Sequence, residues 1–597
     1  MSAYPVLLTR PLLAGFAAGV LISLGACSAS DPDAAATVAK PAEPTVLADK
    51  VGEAERAELH EQLAAPASAP AELRRKSEAM GAVGKPSVAY ETMSMPAPMP
   101  LSMPSMQADA MPPGYRDEGR EQYQKLVDNP VHAVAETPVS TFSIDVDTGS
   151  YANVRRFLNG GQLPPQDAVR LEELVNYFPY AYPLPKGDAP FGIDTELATT
   201  PWNPETRLLR IAIKASDLRV EELPPANLVF LVDVSGSMDR REGLPMVQST
   251  LKLLVEQLRA QDKVSLVVYA GSTSLVLEPT SGAEKAKIRG AIDQLSAGGS
   301  TAGESGIQLA YQQAQQGFID GGINRILLAT DGDFNVGISD FETLKQLAAD
   351  KRKTGVSLTT LGFGTDNYNE RLMEQLADAG DGNYAYIDNL REARKVLVDQ
   401  LGSTLAIVAR DVKIQVEFNR AEVSEYRLLG YENRALQRED FSNDKVDAGE
   451  IGAGHTVTAL YEVVPSGAKG WLEPLRYQNV AKTDSKAGEL AWLRIRYKAP
   501  GQGASKLLEQ PIQADTAVAL SQASEDLRFA AAVAAFAQQL KGDKYTGRFS
   551  LADSAELART AKGEDRFGLR AEFVQLVELA QSLQTETSRS TTARVLQ

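Results

Sequence analysis

Alternating strand-like and helix-like runs over residues 225–405 predict an α/β fold centred on a doubly wound, mostly parallel sheet. A small N-terminal α/β segment and a C-terminal strand-plus-helix domain are expected to flank it. Three observations carry this expectation. The strand candidates 228–232, 263–269, 325–329 and 357–362 are near-continuous apolar runs, as strands covered on both faces require. Between the first two, Met246, Val247, Thr250, Leu251, Leu254, Val255 and Leu258 recur at helical spacing and form one apolar stripe. After Ala409 the pattern changes to period-2 alternation over 411–418, 455–463 and 490–497, which predicts a half-solvated sheet.

At 597 residues the chain exceeds what one hydrophobic core organises, and several domains are expected. In chain order, residues 1–26 read as an export signal. Arg10 precedes an apolar stretch over 12–24, about 13 residues against the roughly 20 needed to span a bilayer. Leu24-Gly-Ala-Cys27 follows and resembles a bacterial lipobox. That resemblance implies a lipid on Cys27 and, with Ser28 next in the chain, an outer-membrane destination. An ordinary signal peptide with an incidental cysteine is the alternative. Cys27 is the only cysteine, so no intrachain disulfide forms.

Residues 27–115 are rich in Ala, Pro, Met and Ser and read as a disordered tether, with a random-coil reach on the order of 50 Å. The methionines of 93–103 are soft ligands suited to Cu(I), but no His or Cys supports them there. Over 116–224 a companion segment is expected. It would contain a short helix from Gly119 ending before Pro130, a strand over 139–146, a helix over 151–158, and punctuation at Pro164, Pro165 and 179–190. Within 225–405 further helices are expected over 284–295, 303–318, 341–353 and 369–379, with 362–366 and 378–386 as strand-end loops. Residues 406–597 add the alternating strands and two helices, over 527–540 and 566–583.

The first strand of the central run ends in Asp233-Val-Ser-Gly-Ser237. Thr301 lies in Gly298-Gly-Ser-Thr-Ala, and Asp331 ends Ile326-Leu-Leu-Ala-Thr-Asp. All three pieces fall at predicted carboxyl ends of strands, where open α/β sheets gather ligands. Carboxylates and hydroxyls are the hard oxygen donors that Mg2+ prefers, with Mn2+ or Ca2+ as alternatives. The bland alternative is that Asp233 and the serines cap the next helix and Asp331 starts a turn. Glu304 and Asp333, close in sequence to these residues, read as solvated loop positions.

These pieces, in this order, resemble the metal-ion-dependent adhesion site of von Willebrand factor type A domains. The resemblance implies a metal held by Asp233, Ser235, Ser237, Thr301 and Asp331. The serines would bind directly, and Thr301 and the aspartates directly or through water. With two carboxylates on the ion, the open position would attract an Asp or Glu from a protein partner. The whole order of lipobox, tether, Ser143-Ile-Asp-Val-Asp-Thr-Gly-Ser-Tyr151, adhesion-type domain and strand-plus-helix ending is similar to bacterial von Willebrand factor A lipoproteins of the YfbK type. That likeness implies a binding protein of the cell envelope, lipid-anchored and facing periplasm or cell surface.

Other function classes find less support. A formal charge of -17 argues against a nucleic-acid partner. Val146-Asp-Thr-Gly-Ser150 looks like the catalytic turn of aspartic proteases, but those need two carboxylates sharing a proton, so Asp147 would require a symmetric dimer. A calcium loop at Asp145 and Asp147 fails on the position of Gly149, and Asp147 reads as a turn residue bonding local amides. His60, His132 and His455 are the only histidines, and no phosphate-binding loop is present. A chain without catalysis is expected, with a metal-independent assembly factor of an envelope complex as the second reading.

Overall fold

The computed structural model describes residues 121–595 except 126, 188, 300–302, 333–340, 366–367, 474–485, 487, 502 and 543, all within the compact unit of residues 108–597. In chain order the first segment contains β1 (His132–Ala133), β2 (Val139–Ser143), α1 (Gly149–Asn159), α2 (Leu171–Asn176), β3 (Phe191–Thr199) and β4 (Arg207–Ala215). The central segment follows with β5 (Ala226–Asp233), α3 (Leu244–Gln257), β6 (Lys263–Tyr269), β7 (Thr273–Ser281), α4 (Lys285–Asp293), α5 (Gly303–Gln316) and β8 (Ile323–Thr330). It continues through α6 (Phe341–Arg352), β9 (Ser357–Gly362), α7 (Glu370–Ala379), β10 (Tyr384–Tyr386), α8 (Leu390–Arg394) and α9 (Leu401–Leu405). The last segment holds β11 (Ile407–Phe418), β12 (Val423–Leu429), β13 (Ile451–Gly452), β14 (Thr456–Pro465), β15 (Glu489–Lys498), β16 (Ser505–Gln513), α10 (Glu525–Lys541), α11 (Leu551–Thr560) and α12 (Leu569–Val595). Among the described residues no helix is long and apolar enough to cross a membrane.

The central sheet runs β10-β9-β8-β5-β6-β7. All its pairings are parallel except β6 with β7. Alternation along β5 explains the two helical layers. Leu228, Phe230 and Val232 pack with Val247, Leu251 and Leu254 of α3 and with Ile288 and Ile292 of α4. Val229 and Leu231 pack on the opposite face with Ile307 and Tyr311 of α5, Leu344 of α6 and Leu376 of α7. A strand whose successive side chains enter two cores must be apolar throughout, which is why its sequence shows no alternation.

The flanking segments, separate in sequence, build common sheets. One has the order β1-β12-β14-β4-β3, so two strands from 423–465 sit between strands from 132–215. The other has the order β13-β11-β15-β16, and β2 pairs with β11. Leu209, Ile211 and Ile213 of β4 face Val412, Ile414 and Val416 of β11 in one core between these sheets. Leu208 and Ala212, on the other side of β4, pack with α1, α2 and the helices α10, α11 and α12. The central domain is therefore an insertion into a two-sheet scaffold completed only by the chain's return after residue 406.

Three local expectations change. The described residues of 121–130 are not helical: Gln122 N donates to Tyr368 O at 2.9 Å and Asn129 Nδ2 to Gly430 O at 2.6 Å, so contacts distant in sequence hold them. The 378–386 loop contains β10, an edge strand too short for periodicity to reveal. β7, a half-exposed antiparallel edge, was likewise not expected from the sequence.

Candidate metal centre

β5 ends on Asp233, fully buried, where the chain leaves the sheet. Its Oδ1 accepts the Ser235 amide at 2.8 Å, and its Oδ2 accepts the Thr330 hydroxyl at 2.9 Å. The first bond shapes the turn; the second ties it to the end of β8, since Val232 lies opposite Ala329 in the parallel register. Within that turn the Ser235 and Ser237 hydroxyl oxygens stand 3.0 Å apart. Asp331, 1% exposed, immediately follows β8.

Neighbouring loops are fastened to this turn by main-chain bonds. Gly298 N donates to Val234 O at 2.7 Å, and Gly236 N to Gly299 O at 3.0 Å. Gly299 has φ +92°, a backbone conformation that glycine adopts without strain. Thr301 lies two residues beyond, outside the described residues, as do Cys27, Asp333 and the tether. Arg240 clamps the far side: Nε donates to Ser237 O at 2.8 Å and Nη1 to Thr365 O at 2.7 Å.

Burial pushes the Asp233 carboxyl up to about 6; the neighbouring Asp331 charge adds to the rise, and the bonds from Ser235 and Thr330 oppose it. Tyr269, buried beside Asp233 and Thr330, has its phenol held well above its usual range by burial and by Asp233. Two carboxylates out of water with hydroxyls converging near them are a donor set for a hard divalent cation, whose charge would relieve the repulsion. The capping alternative fails here. α3 begins at Leu244 behind Gly243, and no side chain caps it. Glu304 lies at the surface and accepts from Gln308 Nε2 at 3.0 Å. Thr330 was missed from the sequence, although its place directly before Asp331 on the strand beside β5 was a usable signal.

Asp147 belongs elsewhere. It is buried, accepts the Tyr384 amide at 2.8 Å and lies 3.4 Å from Arg434 Nη2, so its Asp-Thr-Gly turn is an anchor onto β10. The local amide bond expected of Asp147 is made instead by Asp145, whose Oδ1 accepts Asp147 N at 2.9 Å. At Gly149 a Cβ would fall 2.2 Å from the Tyr384 ring, which requires glycine there. Asp145, Glu173 and Glu374 each bring an oxygen within 4.8 Å of the others. Two arginines stand among them: Arg170 lies 3.3 Å from Glu173, 2.9 Å from Glu370 and 2.7 Å from Glu374, and Arg434 lies 3.2 Å from Asp145 and 2.7 Å from Asp378. This is an ionic junction between the central domain and the scaffold. Nothing in the local sequence signalled Glu173 or Glu374.

Fold and site together define a von Willebrand factor A-domain protein. Residues 227–399 match the model of the von Willebrand factor type A domain, residues 117–210 a model described as von Willebrand factor, and residues 403–583 the C-terminal model of the uncharacterized protein YfbK. Over 472 residues the chain is 52% identical to YfbK of Escherichia coli (strain K12), covering 77% of this chain and 81% of that protein. It belongs to the YfbK family. It is also 35% identical over 188 residues to the uncharacterized protein sll0103 of Synechocystis, covering 31% of this chain and 43% of that one. Among solved structures, the von Willebrand factor type A protein from Catenulispora acidiphila is similar at 17% identity and a TM-score of 0.37, covering 64% of this chain and 88% of that chain.

Proposed function

We propose that the protein is a non-enzymatic binding protein of the bacterial envelope, held to the outer membrane by a lipid on Cys27. Its central domain takes an acidic protein ligand through a divalent cation, Mg2+ or else Mn2+ or Ca2+, held by Asp233, Ser235, Ser237, Thr301 and Asp331. The observation that carries this reading is the turn after β5, where a buried carboxylate shapes a loop with two hydroxyl oxygens 3.0 Å apart. Asp233 organises the turn, Thr330 steadies Asp233, and Arg240 holds the Ser237 carbonyl so that the serine side chains stay together. When bound, the ion supplies a coordination position for a carboxylate from the partner. Cys27 and Thr301 enter on their sequence context alone.

The test is affinity capture from membranes with wild type and Asp233→Ala, each in Mg2+ and in EDTA. Capture lost in EDTA and in the variant supports the reading. Capture equal in all four arms sinks it and favours a metal-independent assembly factor.

A further inference from the structure

Where the end of the central domain meets the scaffold and α12, a cavity of about 530 Å3 opens, lined by residues of 391–403, the 217–218 loop, the Ala453-Gly454 turn, and Phe567 and Leu569. That volume lies within the range of small-molecule sites. The cavity shares no lining residue with the metal centre.

Its walls divide by chemistry. Leu218 is 38% exposed and Phe567 46% exposed, and with Val398 they leave an apolar wall open to water. Apolar surface left wet in this way gains free energy when a ligand covers it. Arg391 and Arg394 form the other wall, their side chains 62% and 66% exposed. Each already has one acidic neighbour, Glu572 at 3.4 Å from Arg391 and Asp399 at 3.9 Å from Arg394, both longer than a tight charge-assisted bond. Lys395, the third basic residue, is committed: its ammonium lies 3.3 Å from Glu392 and 3.7 Å from the centre of the Tyr177 ring. Asp217 on the rim is paired with Lys214 at 3.2 Å. Asp399 also lines the cavity, and what sets this wall apart is two accessible guanidiniums beside exposed apolar surface. Guanidinium forks match carboxylate and phosphate oxygens.

We infer that this cavity binds an amphiphilic anion, its carboxylate or phosphate head on Arg391 and Arg394 and its apolar body against Leu218, Val398 and Phe567. Neither part suffices alone: small anions compete with water at exposed arginines, and a neutral chain gains nothing from the guanidiniums.

Titration calorimetry on the full chain carrying Cys27→Ala tests this with four probes: laurate, dodecyl phosphate, a neutral dodecyl glycoside and acetate. Saturable binding of one molecule of laurate or dodecyl phosphate is expected, at least tenfold tighter than the glycoside, with no heat from acetate; the two anions against each other separate a fatty-acid from a phospholipid-like source. Arg391→Glu with Arg394→Glu should weaken the anions at least tenfold and leave the glycoside unchanged, and Phe567→Ser should weaken both anions. EDTA should change none of these values, which separates this site from the metal centre. Equal binding of laurate and glycoside, or no binding of any amphiphile, would overturn the inference.

Discussion

Buried carboxylates gather at two places in this molecule, and the two are neutralised in different ways. At the junction, Asp145, Asp147, Glu173, Glu370 and Glu374 surround Arg170 and Arg434, with the exposed Asp378 at the edge, so the chain supplies its own cations. The carboxylates outnumber the guanidiniums, and burial pushes Glu374 up to about 8 and raises Asp147 and Glu173, so protons make up part of the deficit. At the strand ends, Asp233 and Asp331 are buried, and Asp233 accepts an amide and a threonine hydroxyl. Charges matched by residues of the same chain need no bound ion to hold domains together. On the proposed reading, a divalent cation completes the second set.

Breaking the junction should give the largest effect. Arg170→Met leaves Glu173, Glu370 and Glu374 without their shared cation and should cost about 3–5 kcal/mol in urea unfolding, equally with and without Mg2+. A loss that Mg2+ restores would erase the distinction between the two regions.

The pH dependence of the cation-free protein should be next. Because Asp233 titrates at about 6 when folded and from 3.8 when free, the fold favours its protonated form. That contribution is fully present below 3.8 and is lost as the pH rises through about 6, amounting to about 3 kcal/mol. Since the junction carboxylates titrate too, the measurement is the difference between wild type and Asp233→Asn in EDTA, which should grow between these values and plateau above them. In saturating Mg2+ the wild-type decline should vanish, since the cation takes the place of the proton.

Ligand-linked stabilisation sharpens the same contrast. With Mg2+ at about a hundred times its dissociation constant, the wild type should gain about 2.7 kcal/mol, and Asp233→Ala should gain none. Thermal unfolding over a Mg2+ series reads both.

The smallest effect is expected at Thr330→Val, which removes the hydroxyl holding Asp233 Oδ2 and keeps the volume of the side chain. Metal affinity should fall about 10–100-fold, as on loss of a residue that orients a ligand, while junction-dependent stability stays within about 1 kcal/mol of wild type. Calorimetric titration of Mg2+ measures the first and urea unfolding the second.

The four inner strands of the central sheet, β5, β6, β8 and β9, were legible because burial on both faces writes itself into consecutive residues: Lys263–Tyr269 and Ser357–Gly362 match the expected runs end to end. β3 and β4 were not, although β4 is as apolar; what makes β4 an inner strand is β14, far along the chain. At the site, Asp233, Ser235 and Ser237 were readable since one turn contains them all, and Asp331 because it ends a recognisable strand. Thr330 acquires its role only through the β5–β8 register.

What the sequence determined by itself, then, is local: apolar runs that must be strands, a stripe that must be a helix, and an oxygen-rich turn where a strand ends. Tertiary structure decided the rest, above all that residues 132–215 and 407–513 form one scaffold around the inserted domain and that Arg434 reaches Asp145, 289 residues away. The reason is physical. Periodicity records which face of an element is buried, whereas the identity of what buries it depends on pairing energies between segments that meet only when the chain has folded.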